Sequence, residues 1–139
     1  ALLLGGVRST YLCSDIEPHR RFADERRWRH QGRSLVSCDF FGQVKIWDWQ
    51  AGTLNLQREF IAGRSVFSVA VDADSNLLAT AIGTESEAGQ IKLWDLDSGS
   101  SIDTISGYSR PVRAVMFTPD GRSLISGGED TSIRIWQTP

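Results

Sequence analysis

A short phrase that recurs three times constrains the fold of this chain more than any other feature of its sequence. Residues 44–48, 91–95 and 133–137 read Val-Lys-Ile-Trp-Asp, Ile-Lys-Leu-Trp-Asp and Ile-Arg-Ile-Trp-Gln. Each copy alternates aliphatic residues with a base before the tryptophan, and the tryptophans lie 47 residues (94 − 47) and 42 residues (136 − 94) apart. Self-similarity at such a period indicates a repeat architecture, in which each repeat is one small structural unit.

The similarity extends on both sides of the phrase. Residues 32–37 match residues 121–126, with 75–80 as a more divergent copy, and residues 66–74 match 112–120. Apolar runs alternate with Gly, Asp, Ser and Pro, so each unit is predicted to form four short β-strands, here called a, b, c and d. Because one such sheet cannot cover both of its own apolar faces, we expect the sheets to stack in an array.

Three details of the repeat resemble the WD40 family. Strand a is followed by Thr-Pro-Asp-Gly at residues 118–121, strand b opens with Leu and ends in Ser, and strand c carries Ile-x-Ile-Trp at 133–136. The resemblance covers residues 32–139 well and residues 1–31 poorly. It implies an all-β protein, a partial β-propeller of about three blades of four-stranded antiparallel sheet, whereas whole propellers have about four to eight blades.

The repeats predict how the chain is divided. The segment 1–31 is irregular, with a possible closure strand at 1–6, a strand a at 10–16 and a basic insertion at 17–31. The rest of the first blade, the second blade and a third blade without its outer strand follow at 32–62, 63–107 and 108–139. Three blades cannot close a normal ring, so three explanations stay open. The chain is the C-terminal portion of a larger propeller, or a short protein that forms a ring with a second copy, or a mis-started or decayed reading frame.

The resemblance also implies structural roles, because a Trp, a Ser or Thr, a His and an Asp often form a hydrogen-bonded tetrad in WD40 repeats. The matching positions are Trp47 with Ser37, Trp94 with Thr80, and Trp136 with Ser126 and Asp130. Phe41 replaces the Asp of the first blade, and the second blade has four extra residues within 84–88. Arg64 and Tyr108 replace the His, so no tetrad is complete. We expect Tyr108 to hydrogen-bond Asp130, and the blades to be held mainly by apolar burial.

Composition favours neither catalysis nor a nucleic-acid or membrane function. The chain has 15 bases and 17 acids, a net charge of −2, and no apolar run long enough to span a bilayer. Its two cysteines and two histidines match no metal or nucleophile spacing. We therefore expect no enzyme activity, no cofactor and no metal, and the lack of a signal-peptide pattern predicts a cytoplasmic protein.

Two segments are candidates for a protein-binding surface. In the family the d–a and b–c turns lie on the top face of the disc, and here they carry Arg64, Arg110, Arg113, Phe40 and Glu129. Arginine and aromatic residues are enriched in interfaces, although the neighbouring Phe41 and Phe67 are expected to belong to the blade core. The basic insertion carries Arg26, Arg27 and Trp28. Its interleaved acids favour a solvated loop, with a protein contact or a nucleic-acid contact as alternatives.

The favoured function is a non-catalytic protein–protein interaction scaffold. The alternative is a regulatory or sensor module at the C-terminal end of a larger multidomain signalling protein. The expected partners are proteins, together with a second copy or the remaining blades of a larger propeller, and nucleic acid is disfavoured. A catalytic centre is the least favoured reading, because the sequence offers no convergent set of His, Cys and acidic residues.

Overall fold

The computed structural model describes residues 10–11, 34–50, 52–72 and 75–139. These residues form three antiparallel sheets and contain no helix, which confirms the all-β prediction. Among them there is accordingly no helix long and apolar enough to cross a membrane. The closure strand at 1–6, residues 12–16 of the expected strand a and the basic insertion at 17–31 lie outside the described residues.

Strands that follow one another in the chain are neighbours in each sheet. The first sheet contains β1 (Thr10–Tyr11), β2 (Ser34–Asp39), β3 (Gln43–Gln50) and β4 (Thr53–Ile61). The second contains β5 (Val66–Asp72), β6 (Leu77–Thr84), β7 (Glu87–Asp95) and β8 (Ser101–Ile105). The third contains, in the described residues, β9 (Val112–Phe117), β10 (Ser123–Gly128) and β11 (Ile133–Gln137). From β2 onwards, such an order within each sheet arises from successive hairpins, which short turns between apolar runs favour.

The alternation within the recurrent phrase gives each sheet an aliphatic face. Val44 and Ile46 of β3 are 0% and 5% exposed, and Ile91 and Leu93 of β7 are 0% and 2% exposed. The first pair lies in an apolar cluster with residues of the second sheet, and the second pair lies in a cluster with residues of the third. Because side chains alternate across a strand, the aliphatic residues of β3 and β7 face the following sheet.

The tryptophan of the phrase lies on the opposite face of its sheet. Trp94 packs on Phe60 of the first sheet, with ring centroids 4.7 Å apart. Trp136 packs in the same way into the cluster that joins the second and third sheets. The sheets therefore stack in one direction, with the tryptophan face of one sheet on the aliphatic face of the sheet before it.

The four extra residues of the second repeat lengthen a hairpin. Thr84 pairs with Glu87, so that Glu85 and Ser86 alone form the turn between β6 and β7. The backbone N–H of Gly89 donates a hydrogen bond to the carbonyl oxygen of Arg110 at 3.1 Å. The hairpin is therefore tied to the loop that precedes the third sheet.

The turn between β9 and β10 requires glycine at position 121. Gly121 has φ +67°, in the left-handed region, and its N–H donates to the carbonyl oxygen of Thr118 at 2.8 Å. A Cβ atom on this residue would collide with the carboxylate of Asp72 in the neighbouring sheet. We expect Gly121→Ala to lower the free energy of unfolding, measured by urea denaturation, by roughly 1–2 kcal/mol.

Gly52 provides a matched control for this substitution. It has φ +84°, and an added Cβ there would meet nothing within 4 Å. Gly52→Ala should therefore lose only the free energy that a residue with a Cβ costs in the left-handed backbone conformation. It should be more stable than Gly121→Ala. Equal losses in the two variants would show that the approach of Asp72 to Gly121 contributes nothing.

Candidate functional site

Each tryptophan of the recurrent phrase donates a hydrogen bond within its own sheet. The indole nitrogen is 2.9, 3.0 and 3.1 Å from the hydroxyl oxygen in the pairs Trp47 to Ser37, Trp94 to Thr80 and Trp136 to Ser126. The three hydroxyl residues are buried, with exposures of 5%, 0% and 1%. A buried polar group without a partner costs about 1–3 kcal/mol. Each of these hydrogen bonds therefore stabilises the pairing of strand c with strand b in its sheet.

Tyr108 completes the hydrogen-bonded group of the third sheet. Its hydroxyl lies 2.7 Å from Ser126 Oγ and accepts a hydrogen bond from Trp136 Nε1 at 2.8 Å. The residue is only 2% exposed. The tyrosine hydroxyl thus takes the place, next to Trp136 and Ser126, of the histidine that the resemblance implies in the tetrad.

The predicted hydrogen bond between Tyr108 and Asp130 is wrong. Asp130 instead accepts hydrogen bonds from the Ser132 hydroxyl at 2.6 Å and from Arg134 Nη2 at 2.8 Å. The Arg134 guanidinium also stacks on the Tyr108 ring, with Cζ 4.4 Å from the ring centroid, and donates to the carbonyl oxygen of Gly107 at 2.7 Å. An arginine therefore occupies the place between the tyrosine and the aspartate.

Three carboxyl groups in turns have lowered pKa values: those of Asp95, Asp120 and Asp130. The largest cause in each case is a hydrogen bond from a Ser or Thr of the same turn, from Ser98, Thr118 and Ser132 respectively. A lowered pKa keeps a carboxylate ionised near neutral pH, so these groups are poor general acids. They stabilise turns, and the described ranges place no three His, Cys, Asp or Glu side chains where they could hold a metal ion.

Four side chains form a continuous strip across all three sheets: Phe40, Phe67, Arg113 and Glu129. Phe40, in the β2–β3 turn, meets the Phe67 ring of β5 edge to face, with centroids 5.8 Å apart and planes at 79°. The Arg113 guanidinium of β9 lies over the Phe67 ring, with Cζ 4.0 Å from the ring centroid. Arg113 Nε donates to Glu129 Oε1 at 2.7 Å. Three residues predicted for the binding surface are thus brought together by a fourth, Phe67, which was expected in the core.

Two further residues of the predicted surface, Arg64 and Arg110, lie on exposed loops. Arg64 forms an ion pair of 2.6 Å with Glu87 on the lengthened hairpin, and the two side chains are 70% and 47% exposed. Arg110 is exposed too, beside the backbone contact with Gly89. Arg26, Arg27 and Trp28 lie outside the described residues.

The expectation that Phe41 belongs to the blade core is wrong. Its side chain is 76% exposed. The Asp39 carboxylate accepts hydrogen bonds from the N–H groups of Phe41 and Gln43, both at 2.9 Å, and Gly42 follows with φ +86°. This tight turn presents Phe41 to solvent next to Phe40, and Phe67 is only partly buried. The Asp39–Gly42 pairing was visible in the sequence as a turn signal, but it does not reveal which way the intervening aromatic side chains point.

Comparison with known proteins identifies the repeat. Residues 55–95 and 99–137 match the family model described as WD domain, G-beta repeat. Nuclear distribution protein PAC1 of Arthroderma benhamiae is 32% identical over 113 residues, which cover 76% of this chain and 24% of that protein. Periodic tryptophan protein 2 of Arabidopsis thaliana is 32% identical over 101 residues, 71% of this chain and 10% of that protein.

A third relative is apoptotic protease-activating factor 1 of Rattus norvegicus, 29% identical over 122 residues, which cover 87% of this chain and 9% of that protein. The chain thus spans about a quarter of the length of the first relative and about a tenth of the other two. The family match runs from β4 of the first sheet to β11 of the third, and it includes the tryptophan–hydroxyl hydrogen bonds of Trp94 and Trp136. The chain belongs to the WD40 repeat family.

Proposed function

We propose that this WD40 chain is a non-catalytic scaffold that binds a protein partner through the strip formed by Phe40, Phe67, Arg113 and Glu129. The observation that carries the proposal is the exposed aromatic pair formed by Phe40 of the strip and the adjoining Phe41. Phe40 is 43% exposed and Phe41 is 76% exposed. Large aromatic side chains that can enter a pocket of a partner provide much of the binding energy of protein interfaces.

The charged end of the strip supports the same function. Arg113 is stacked on Phe67 and ion-paired with Glu129, so its side chain is already ordered before a partner arrives. Ordering a long side chain on binding costs about 0.5–1.5 kcal/mol. A preformed arginine avoids part of this cost, and it retains further N–H donors for a partner.

Affinity capture from the native lysate tests the proposal. The chain is immobilised as wild type and as the double variant Phe40→Ser/Phe41→Ser, and the retained proteins are compared by quantitative mass spectrometry. We expect at least one protein to be retained by the wild type and reduced about tenfold or more by the double variant, because both aromatic anchors are lost.

Ile102→Ser is the matched control, since Ile102 is 46% exposed on β8, away from the strip. This variant should retain the same partner as the wild type. A protein that binds the wild type and the double variant equally well would show that the strip is not the binding surface.

A second candidate function is a regulatory or sensor part of a longer signalling protein. The similarity that favours it is the match of 87% of this chain to only 9% of the rat apoptotic protease-activating factor. The sequence of the full gene tests this candidate directly. A nucleotide-binding motif upstream of these repeats would favour it, and a gene that encodes WD40 repeats alone would exclude it.

We propose blades at residues 32–62, 63–107 and 108–139, a cytoplasmic location, and a secondary protein contact through Arg26, Arg27 and Trp28 in the basic insertion. Replacing Arg26, Arg27 and Arg29 by Ser in the capture experiment tests that contact. Unchanged partner recovery would assign the insertion to a solvated loop.

A further inference from the structure

Two arginine side chains of the third sheet stack on aromatic rings in the same way. The Arg134 guanidinium lies over Tyr108, with Cζ 4.4 Å from the ring centroid, and the Arg113 guanidinium lies over Phe67 at 4.0 Å. All three guanidinium nitrogens of Arg134 donate hydrogen bonds within the chain. Their acceptors are oxygen atoms of Ser132, Gly107 and Asp130. The guanidinium of Arg134 is therefore fully engaged in holding the third sheet and the loop before it.

Arg113 uses only one edge of its guanidinium within the described residues. Its Nε donates to Glu129 Oε1 at 2.7 Å, and its Nη2 donates to the same oxygen. In the part of the chain that the structure describes, Nη1 has no hydrogen-bond acceptor, and the Arg113 side chain is 41% exposed. Because a guanidinium carries five N–H donors in a planar fork, the edge formed by Nη1 and the outer N–H of Nη2 is open to a ligand.

The open edge of Arg113 has the shape and the charge that a carboxylate requires. Two parallel N–H groups of a guanidinium match the two oxygens of a carboxylate, and such charge-assisted pairs are among the stronger hydrogen bonds of proteins. The Phe67 ring orients the plane of the fork, and Glu129 holds its inner edge. The side chain therefore loses little freedom when a ligand binds, which favours affinity.

Arg110 adds a positive charge beside this edge. It is exposed, and it forms no ion pair with another residue that the structure describes. The carbonyl oxygen of the next residue, Pro111, accepts a hydrogen bond from the N–H of Glu129 at 3.0 Å. The loop that carries Arg110 thus adjoins the pair of Arg113 and Glu129. Two arginines stand here with one glutamate, and the surplus positive charge favours an acidic ligand.

An exposed aromatic ring lies near the open edge. Phe40, which is 43% exposed, meets Phe67 edge to face with ring centroids 5.8 Å apart. Phe40 and Arg113 therefore contact the same ring, and one short segment can reach both. In an extended chain, alternate side chains project to the same side about 7 Å apart. This spacing suits an acidic and an apolar residue with one residue between them.

We propose that the ligand of the strip is an extended acidic peptide segment of a partner protein. An Asp or Glu carboxylate of the segment binds the open edge of Arg113, and an apolar side chain two positions away packs on Phe40. The inference rests on the proposed binding function of the strip and specifies the chemistry of its ligand. Arg110 attracts the segment from outside the contact, an effect that added salt weakens.

A random peptide display library, selected on the immobilised chain, tests this ligand class. We expect the enriched peptides to share an Asp or Glu and an apolar residue with one residue between them. Fluorescence anisotropy then gives the dissociation constant of one enriched peptide and of its version with the acid replaced by the corresponding amide. The amide version should bind the wild-type chain about tenfold or more weakly, because it loses the charge-assisted pair.

Variants of the chain locate the carboxylate. On Arg113→Gln the amide replacement should change the dissociation constant less than about twofold, because the group that binds the carboxylate is already absent. Arg113→Lys keeps the charge but loses the fork, so it should bind the acidic peptide about tenfold more weakly than the wild type. Arg122→Gln is the control, since Arg122 is exposed and precedes β10, whereas Glu129 follows it. It should bind like the wild type, and far-UV circular dichroism checks that each variant is folded.

The outcomes separate this ligand class from the binding function itself. An equal effect of the amide replacement on the wild type and on Arg113→Gln would overturn the role of Arg113. Enriched peptides without an acid that lose affinity for Phe40→Ser/Phe41→Ser would overturn the acidic segment and leave the binding function intact. A selection that enriches no peptide would overturn recognition of a short segment, whereas capture from the lysate decides the binding function independently. Tighter binding of a version with phosphoserine at the acidic position would assign the open edge to phosphate instead.

Discussion

Replacing Trp94 by alanine is expected to lower the free energy of unfolding by about 3–5 kcal/mol. The side chain is 8% exposed, packs on Phe60 with ring centroids 4.7 Å apart, and donates to Thr80 Oγ1 at 3.0 Å. Its removal opens a cavity between the first and second sheets and leaves the Thr80 hydroxyl with a weaker partner, the Lys92 carbonyl oxygen at 3.4 Å. Urea denaturation followed by circular dichroism measures the loss.

Trp94→Phe separates the two contributions. The phenylalanine keeps most of the ring contact with Phe60 and removes the N–H donor, so we expect it to lose roughly 1–3 kcal/mol, less than the alanine variant. A loss in the free energy of unfolding below about 1 kcal/mol for Trp94→Ala would show that Trp94 does not join the first and second sheets, because removal of a buried tryptophan costs more than this.

The second large effect is expected at Tyr108. Tyr108→Phe should lower the free energy of unfolding by about 1–3 kcal/mol, since the lost hydroxyl contacts both Ser126 and Trp136 in a buried site. The phenylalanine ring can keep the stacking of Arg134, so the change isolates the hydrogen bonds. Urea denaturation of Tyr108→Phe measures the contribution of the hydroxyl to stability. Comparison with Tyr108→Ala measures the contribution of the ring.

Tyr108→His provides the informative control. Histidine retains a ring nitrogen that can hydrogen-bond in the same place, so this variant should be more stable than Tyr108→Phe. A phenylalanine variant as stable as the wild type, or a histidine variant that is no better than phenylalanine, would show that Tyr108 does not act as the substitute for the family histidine.

The stacking of the sheets could be predicted from sequence because it follows from periodicity. The alternation in the recurrent phrase separates Ile91 and Leu93 from Trp94 onto opposite faces, and a sheet with two apolar faces must be covered on both. The tryptophan–hydroxyl pairs were implied by the resemblance to WD40 repeats, and each hydrogen bond joins neighbouring strands of one repeat. In these strands, the alternation of residues along the sequence agrees with the way in which the sheets pack on one another.

The polar contacts between repeats could not be predicted in the same way. The position of Tyr108 after Gly107 indicated a substitute for histidine, but the choice of partner depended on where Arg134 places its guanidinium. Phe41 is apolar and follows a strand, so composition favours burial, whereas the turn closed by Asp39 and Gly42 exposes it. Side-chain direction within a turn is set by backbone geometry that residue type alone does not determine.

Binding of a protein partner through the strip and the adjoining Phe41 is tested by the affinity of the captured partner for Phe41→Ser. Titration calorimetry should show a dissociation constant raised about tenfold or more, with an unfolding free energy equal to that of the wild type, because Phe41 is 76% exposed and contributes little to the core. The control Ile102→Ser, at 46% exposure on β8, should bind within about twofold of the wild type. A Phe41→Ser variant that binds with wild-type affinity would contradict binding through this surface.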